Sequence, residues 1–171
     1  MQPLNTIIIG LGNPILTDDG VGVLVARELA RRLAHRPDIT VTEASVGGLR
    51  LMELMAGYDR AILIDAILDG QPPGTLTRLT VDDLNARASP QHTASAHDVN
   101  LPTALAAGRR MGLQLPDDII IYAISVENVL DFGDRPTGAV FNAIPVAVQA
   151  VLDSVFSPYA TIHPLPQNTE N

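Results

Sequence analysis

The chain has 171 residues, of which 46% are hydrophobic and 18% charged, which suits one packed domain and excludes an intrinsically disordered chain. Its 19 acidic and 11 basic side chains give a formal net charge of −8, a field that repels phosphate backbones and argues against general nucleic-acid binding. There is no cysteine, so a disulfide framework, a thiolate zinc site and a cysteine nucleophile are excluded together.

The N-terminus, MQPLNTIIIGLGNP, has no basic start leading into a long apolar stretch. No apolar run approaches ~20 residues, so neither a signal peptide nor a membrane span is expected, and a cytoplasmic protein is. Leu4 to Ile9 reads as a buried strand ending at Gly10. Gly10, Gly12, Asn13 and Pro14 then mark a tight loop. From Val21, apolar residues recur at Val25, Leu29 and Leu33, the spacing of one helix face. Ile39 to Glu43 is the next expected strand, Leu49 to Met55 a helix after Gly47 and Gly48, and Arg60 to Asp65 another buried strand. A shorter strand is expected over Gly74 to Leu79. Residues 82–97, polar and small, read as an exposed loop. Leu101 to Met111 reads as a helix, Asp118 to Ile124 as the last core strand, and Gly138 to Val155 as a closing helix.

Strands alternating with helices imply an α/β domain with a mostly parallel sheet, here over residues 1–157, followed by a Pro-rich tail at 158–171 with no assigned partner. In such sheets polar sites gather beyond the carboxyl ends of the strands. That rule singles out the segment from Asn13 to Asp19, and also Asp65.

Gly10 to Gly22, GLGNPILTDDGVG, lies where a nucleotide loop could stand. It lacks the dinucleotide glycine spacing and the Lys-Ser/Thr ending of a phosphate loop. Two carboxylates at a helix entrance would also repel phosphate. The ordinary role for Asp18 is to cap the helix, which leaves Asp19 free to point across the strand ends. Asp65, after the apolar Ala61 to Ile64, is as easily a turn former as a functional group. Of the four histidines, His97 stands between the loop and the helix expected from Leu101. His92 is its competitor in that loop, while His35 and His163 fall at a helix end and in the tail. Two carboxylates and an imidazole would suit nickel or zinc with room for water or substrate. Neither a HExxH zinc-protease helix nor a Gly-x-Ser-x-Gly elbow is present.

In combination, GLGNPILTDDGVG, VGGLRLMELMAGYDRAILIDAI, SAHDVNLPTALAAG and ENVLDFGDRPTGAVFNAIPVAVQAVL resemble, in order, the landmarks of the [NiFe] hydrogenase maturation proteases. The resemblance runs from Thr6 to about Val155. It implies a three-layer α/β/α sandwich, phosphorylase/hydrolase-like, around a twisted sheet of about five strands. It implies metal-contacting, catalytic positions at Asp19, Asp65 and His97, with Asp19 standing where the family often has Glu. The implied activity is one endoproteolytic cut that frees the C-terminal extension of a nickel-loaded hydrogenase large-subunit precursor, an aspartyl- or metalloprotease reaction. Nickel would be presented by the substrate, other divalent metals being able to substitute. With no surplus amphipathic helix or coiled-coil repeat visible in the sequence, a monomer is expected. Glu43 and Ser45 receive no catalytic role.

Two other readings compete. Peptidyl-tRNA hydrolase shares a GLGNP start, but its following Thr-Arg-His-Asn stretch is replaced here by Leu16-Thr17-Asp18-Asp19, and the charge suits tRNA badly. A non-catalytic nickel-sensing or docking protein would use the same cleft, because ligand residues alone do not prove turnover.

Overall fold

The computed structural model describes residues 4–87 and 101–156. In chain order the elements are β1 (Thr6–Leu11), α1 (Val21–Arg32), β2 (Ile39–Ala44), α2 (Gly48–Met55), β3 (Arg60–Ile67), β4 (Leu76–Leu79), α3 (Val81–Arg87), α4 (Leu101–Arg110), β5 (Asp118–Ser125) and α5 (Gly138–Phe156). The sheet order is β2-β1-β3-β5-β4, with β4 antiparallel to β5 and the other pairs parallel.

The three central strands read TIIIGL, RAILIDAI and DIIIYAIS. Near-continuous apolar runs of this kind belong to strands covered on both faces. Alternate side chains then feed two cores. Ile7, Ile9, Leu63 and Ile121 pack with α2 and α4; Ile8, Ile62, Ile64 and Ile120 pack with α1 and α5. The expected α/β/α sandwich of five strands is what forms. α5 is long and apolar enough in composition to suit a membrane span, but its Val140, Ala143, Ala147, Val148 and Val151 are buried against the sheet.

Glycine brings α1 unusually close to the strands. A Cβ on Gly22 would lie 2.3 Å from the Ile64 carbonyl oxygen and 2.4 Å from that of Leu11; one on Gly10 would lie 2.3 Å from the Gly22 oxygen. The first turn of α1 therefore rests directly on the backbone of β1 and β3, which fixes the loop before it.

Three expectations need correction. Residues 81–87, overlapping the start of the loop expected over 82–97, form α3. The Thr80 hydroxyl accepts from the Asp83 amide, and the Asp83 carboxylate accepts from the Thr80 amide and hydroxyl. This reciprocal capping starts the helix, and Leu84 buries beneath it. Asp65 does not end its strand, because apolar Ala66 and Ile67 continue the pairing with Ile124 and Ser125. Asp18 does not cap α1, whose N-cap is Gly20 with no side-chain bond. His92, His97, His163 and the tail at 158–171 lie outside the described residues.

Candidate active site at the carboxyl edge of the sheet

Two loops meet beyond the ends of β1 and β5. Leu16 and Phe132 form an antiparallel bridge. The Thr17 amide donates to the Asp131 carbonyl at 2.9 Å, the Asp18 amide to the Asn128 carbonyl at 2.9 Å, and the Gly133 amide to the Ile15 carbonyl at 3.1 Å. One carboxylate locks the pair. Asp18 is fully buried; its Oδ1 accepts from the Thr137 amide at 2.7 Å, and its Oδ2 accepts from the Asn128 amide at 3.1 Å and the Thr137 hydroxyl at 3.2 Å, with a longer bond from the Glu127 amide. A buried carboxylate is tolerated where such donors converge on it.

Asp19, the next residue, is treated quite differently. It is half-buried, and its Oδ2 accepts from the Asn13 amide at 2.6 Å. Gly12 makes this placement possible: its φ is +127°, and a Cβ there would stand 1.9 Å from the Asp19 carbonyl oxygen. The glycine thus lets the loop fold back on itself and hold Asp19 over the end of β1. Ser45, after β2, donates to the Gly12 carbonyl at 2.8 Å. Glu43 is engaged with Arg27 through two bonds of 2.8 and 3.0 Å. Neither has any feature that would alter the structural role expected of it.

Asp65 is 1% exposed, and its Oδ1 accepts from the Ala66 amide at 2.9 Å. It sits opposite Ala123 on β5. Strand alternation turns it to the face that carries Leu63 and Ile67, on which α2 and α4 pack. Asp19, in the loop that follows β1, and Asp65, on the neighbouring β3, therefore stand at one edge of the sheet. His97 lies outside the described residues; α4, whose first residue Leu101 is buried in the core, covers the same face as Asp65. Among the described residues no three His, Asp or Glu side chains group closely enough to hold a metal. His35 is exposed just after α1, as expected of a solvated position.

Two features were missed in the sequence. The Asp18 clamp was one. The other is Ser125, fully buried on β5 opposite Ile67, with no hydrogen-bond partner for its hydroxyl among the described residues. Alternation puts it on the Asp65 face. No local signal marks a serine of this kind, because its burial depends on the strands either side.

The family model for hydrogenase maturation protease matches residues 23–154. The chain belongs to the hydrogenase maturation protease family. The span includes Asp65 and His97 and begins after Asp19. Among curated relatives, the hydrogenase expression/formation protein HupD of Rhizobium leguminosarum bv. viciae is 25% identical over 146 residues, 85% of this chain and 71% of that protein. The hydrogenase 2 maturation protease of Escherichia coli is 26% identical over 127 residues, 74% and 76% of the two chains. In three dimensions the chain is similar to the hydrogenase maturating endopeptidase HybD from E. coli, with a TM-score of 0.75, 24% identity and coverage of 91% and 94%. The [NiFe] hydrogenase maturation protease HybD from Thermococcus kodakarensis gives 0.68, 23%, 89% and 99%. These structures support the fold, and the family membership makes the protein a hydrolase of the hydrogenase maturation protease type.

Proposed function

We propose that this maturation protease removes the C-terminal extension of a nickel-loaded [NiFe] hydrogenase large-subunit precursor, and that Asp19, Asp65 and His97 engage the precursor's nickel. The observation that carries the reading is the contrast within Asp18-Asp19. The first carboxylate is buried and committed to loop amides, whereas the second is half-buried and held by one amide at the edge where Asp65 stands. Two carboxylates and an imidazole form a donor set suited to nickel, with coordination positions left for water and the scissile segment. The metal belongs to the substrate, so engaging it reads insertion before cleavage. In the cut, the oxygen of water adds to the scissile carbonyl carbon, the C–N bond breaks, and the departing amine takes a proton. The enzyme acts in the cytoplasm as a monomer, with an acidic surface suited to a protein partner rather than nucleic acid.

The test is to incubate purified protein with precursor, with and without nickel, and follow the loss of C-terminal mass by intact-protein mass spectrometry. The wild type should trim only nickel-loaded precursor. Asp19→Ala, Asp65→Ala and His97→Ala should each abolish trimming while keeping the far-ultraviolet circular dichroism of the parent. Normal trimming by all three would remove the proposed site. Precursor binding by the wild type without any cut would favour a docking protein.

A further inference from the structure

Leu130 and Phe132 are the two most exposed large apolar side chains among the described residues, at 84% and 81%, and Ile15 on the facing loop is 58% exposed. Side chains of this size on a slack loop would be expected to fold back against the body. Here the backbone prevents it. Phe132 is bridged to Leu16 and Gly133 to Ile15. The Asn128 side-chain oxygen accepts from the Leu130 and Asp131 amides, and Asp18 fastens the segment on both sides through Asn128 and Thr137. The result is an apolar knob held out in solvent by a buried carboxylate. Around it, Glu127, Asp131 and Asp134 are exposed against one exposed cation of the segment, Arg135.

We propose that this knob is the surface on which the precursor protein docks, seating in an apolar hollow rimmed by basic side chains beside the precursor's nickel site. The inference rests on the function proposed above, and two observations choose the occupant. The knob is continuous with the site, because Ile15 and Asp19 share one loop, so a partner gripping the knob is brought to Asp19. The acidic rim disfavours anionic lipid and nucleic acid and favours a basic protein surface. Apolar anchors enclosed by a charged rim are the arrangement that concentrates binding energy in a few residues.

The experiment compares steady-state trimming of the nickel-loaded large-subunit precursor encoded by the same genome. A Leu130→Ser/Phe132→Ser double variant should raise KM about tenfold or more with kcat unchanged. Met111→Ser, at a residue 73% exposed just beyond α4, should leave both constants alone. Should the double variant melt early, Glu127→Lys/Asp134→Lys provides the second arm: KM should rise, and the rise should shrink with added salt. Unchanged KM in these variants, a fall in kcat alone, or an equal KM rise from Met111→Ser would overturn the docking surface while leaving the protease intact. A wild-type dimer that the double variant dissociates without a change in KM would assign the knob to a second copy and overturn it too. Failure of the wild type to trim any precursor would overturn the function and the docking surface together.

Discussion

Along β1, β3 and β5 the chain is held by side chains that make no directional bond at all: Ile8, Ile9, Ile62, Leu63, Ile64 and Ile121 are wholly buried. A few residues further on, in the loops 12–20 and 126–137, the large apolar side chains Ile15, Leu130 and Phe132 face water, and order comes from amides converging on Asp18. The interior is stabilised by area, at roughly 25 cal/mol per Å² of apolar surface, and tolerates exchanges that keep volume. The edge is stabilised by geometry, where one oxygen moved or removed strands several donors at once. A site built this way can be rigid without being covered, which suits an enzyme whose substrate is another folded protein.

The comparison should break most severely where the two regions touch. Gly22 is in the first turn of α1 yet rests on the backbone of Leu11 and Ile64, with 2.3–2.4 Å left for any Cβ. Both obstacles are backbone oxygens, so no side-chain rotation relieves them. Gly22→Ala should cost about 3 kcal/mol or more, and lower the melting temperature by roughly 10 °C, by lifting α1 from the sheet. A melt unchanged from the parent would mean that the edge can slide relative to the core.

Next in size is Asp18→Ala, which strands the Thr137 and Asn128 amides in a dry setting. About 2–3 kcal/mol of destabilisation in urea titration is expected, with Asp18→Asn intermediate because it keeps one acceptor oxygen but turns an amide group toward donors. Its neighbour should behave oppositely. Asp19→Ala removes one bond from the Asn13 amide and should cost no more than about 1 kcal/mol, while abolishing precursor trimming. Equal stability losses at the two positions would erase the distinction between the clamp and the carboxylate proposed to engage nickel.

The sheet was legible because its signals are local: apolar runs such as RAILIDAI, closed by glycine loops, state their own burial. The places of Asp19 and Asp65 at the carboxyl edge of the sheet were legible for a related reason, since Asp19 follows β1 and Asp65 stands near the end of β3, and both strands could be read. What escaped depended on distance or on composition. Asp18 looked like a helix cap because the capping rule sees only the next few residues, whereas its actual donors lie 109 to 119 positions downstream. α3 escaped because VDDLNAR offers few apolar residues for a helical spacing to show, although the Thr80-Val-Asp-Asp83 capping signal was there to read. The antiparallel run of β4 is a pairing with β5, about forty residues on, and no local pattern records it.

The smallest effect concerns the opposite end of the sheet from the site, where a part-buried ion pair stands before β2. Arg36 bonds Asp38 through two nitrogens, at 2.8 and 2.5 Å, and its guanidinium stands 5.3 Å from the centre of the Phe156 ring. The hydrogen bond from Arg36 holds the Asp38 carboxyl below its ordinary value. A carboxyl lowered in the folded state contributes stability that is fully present above its unfolded value and is lost as pH falls through the folded one. Arg36→Ala should therefore cost most at neutral pH, and the gap to wild type should close as pH drops below about 4, where the free carboxyl is protonated. Urea titrations at neutral and acid pH measure that gap. If it stayed constant, the ion pair would contribute nothing and the whole effect would belong to the guanidinium over Phe156, which does not titrate in this range.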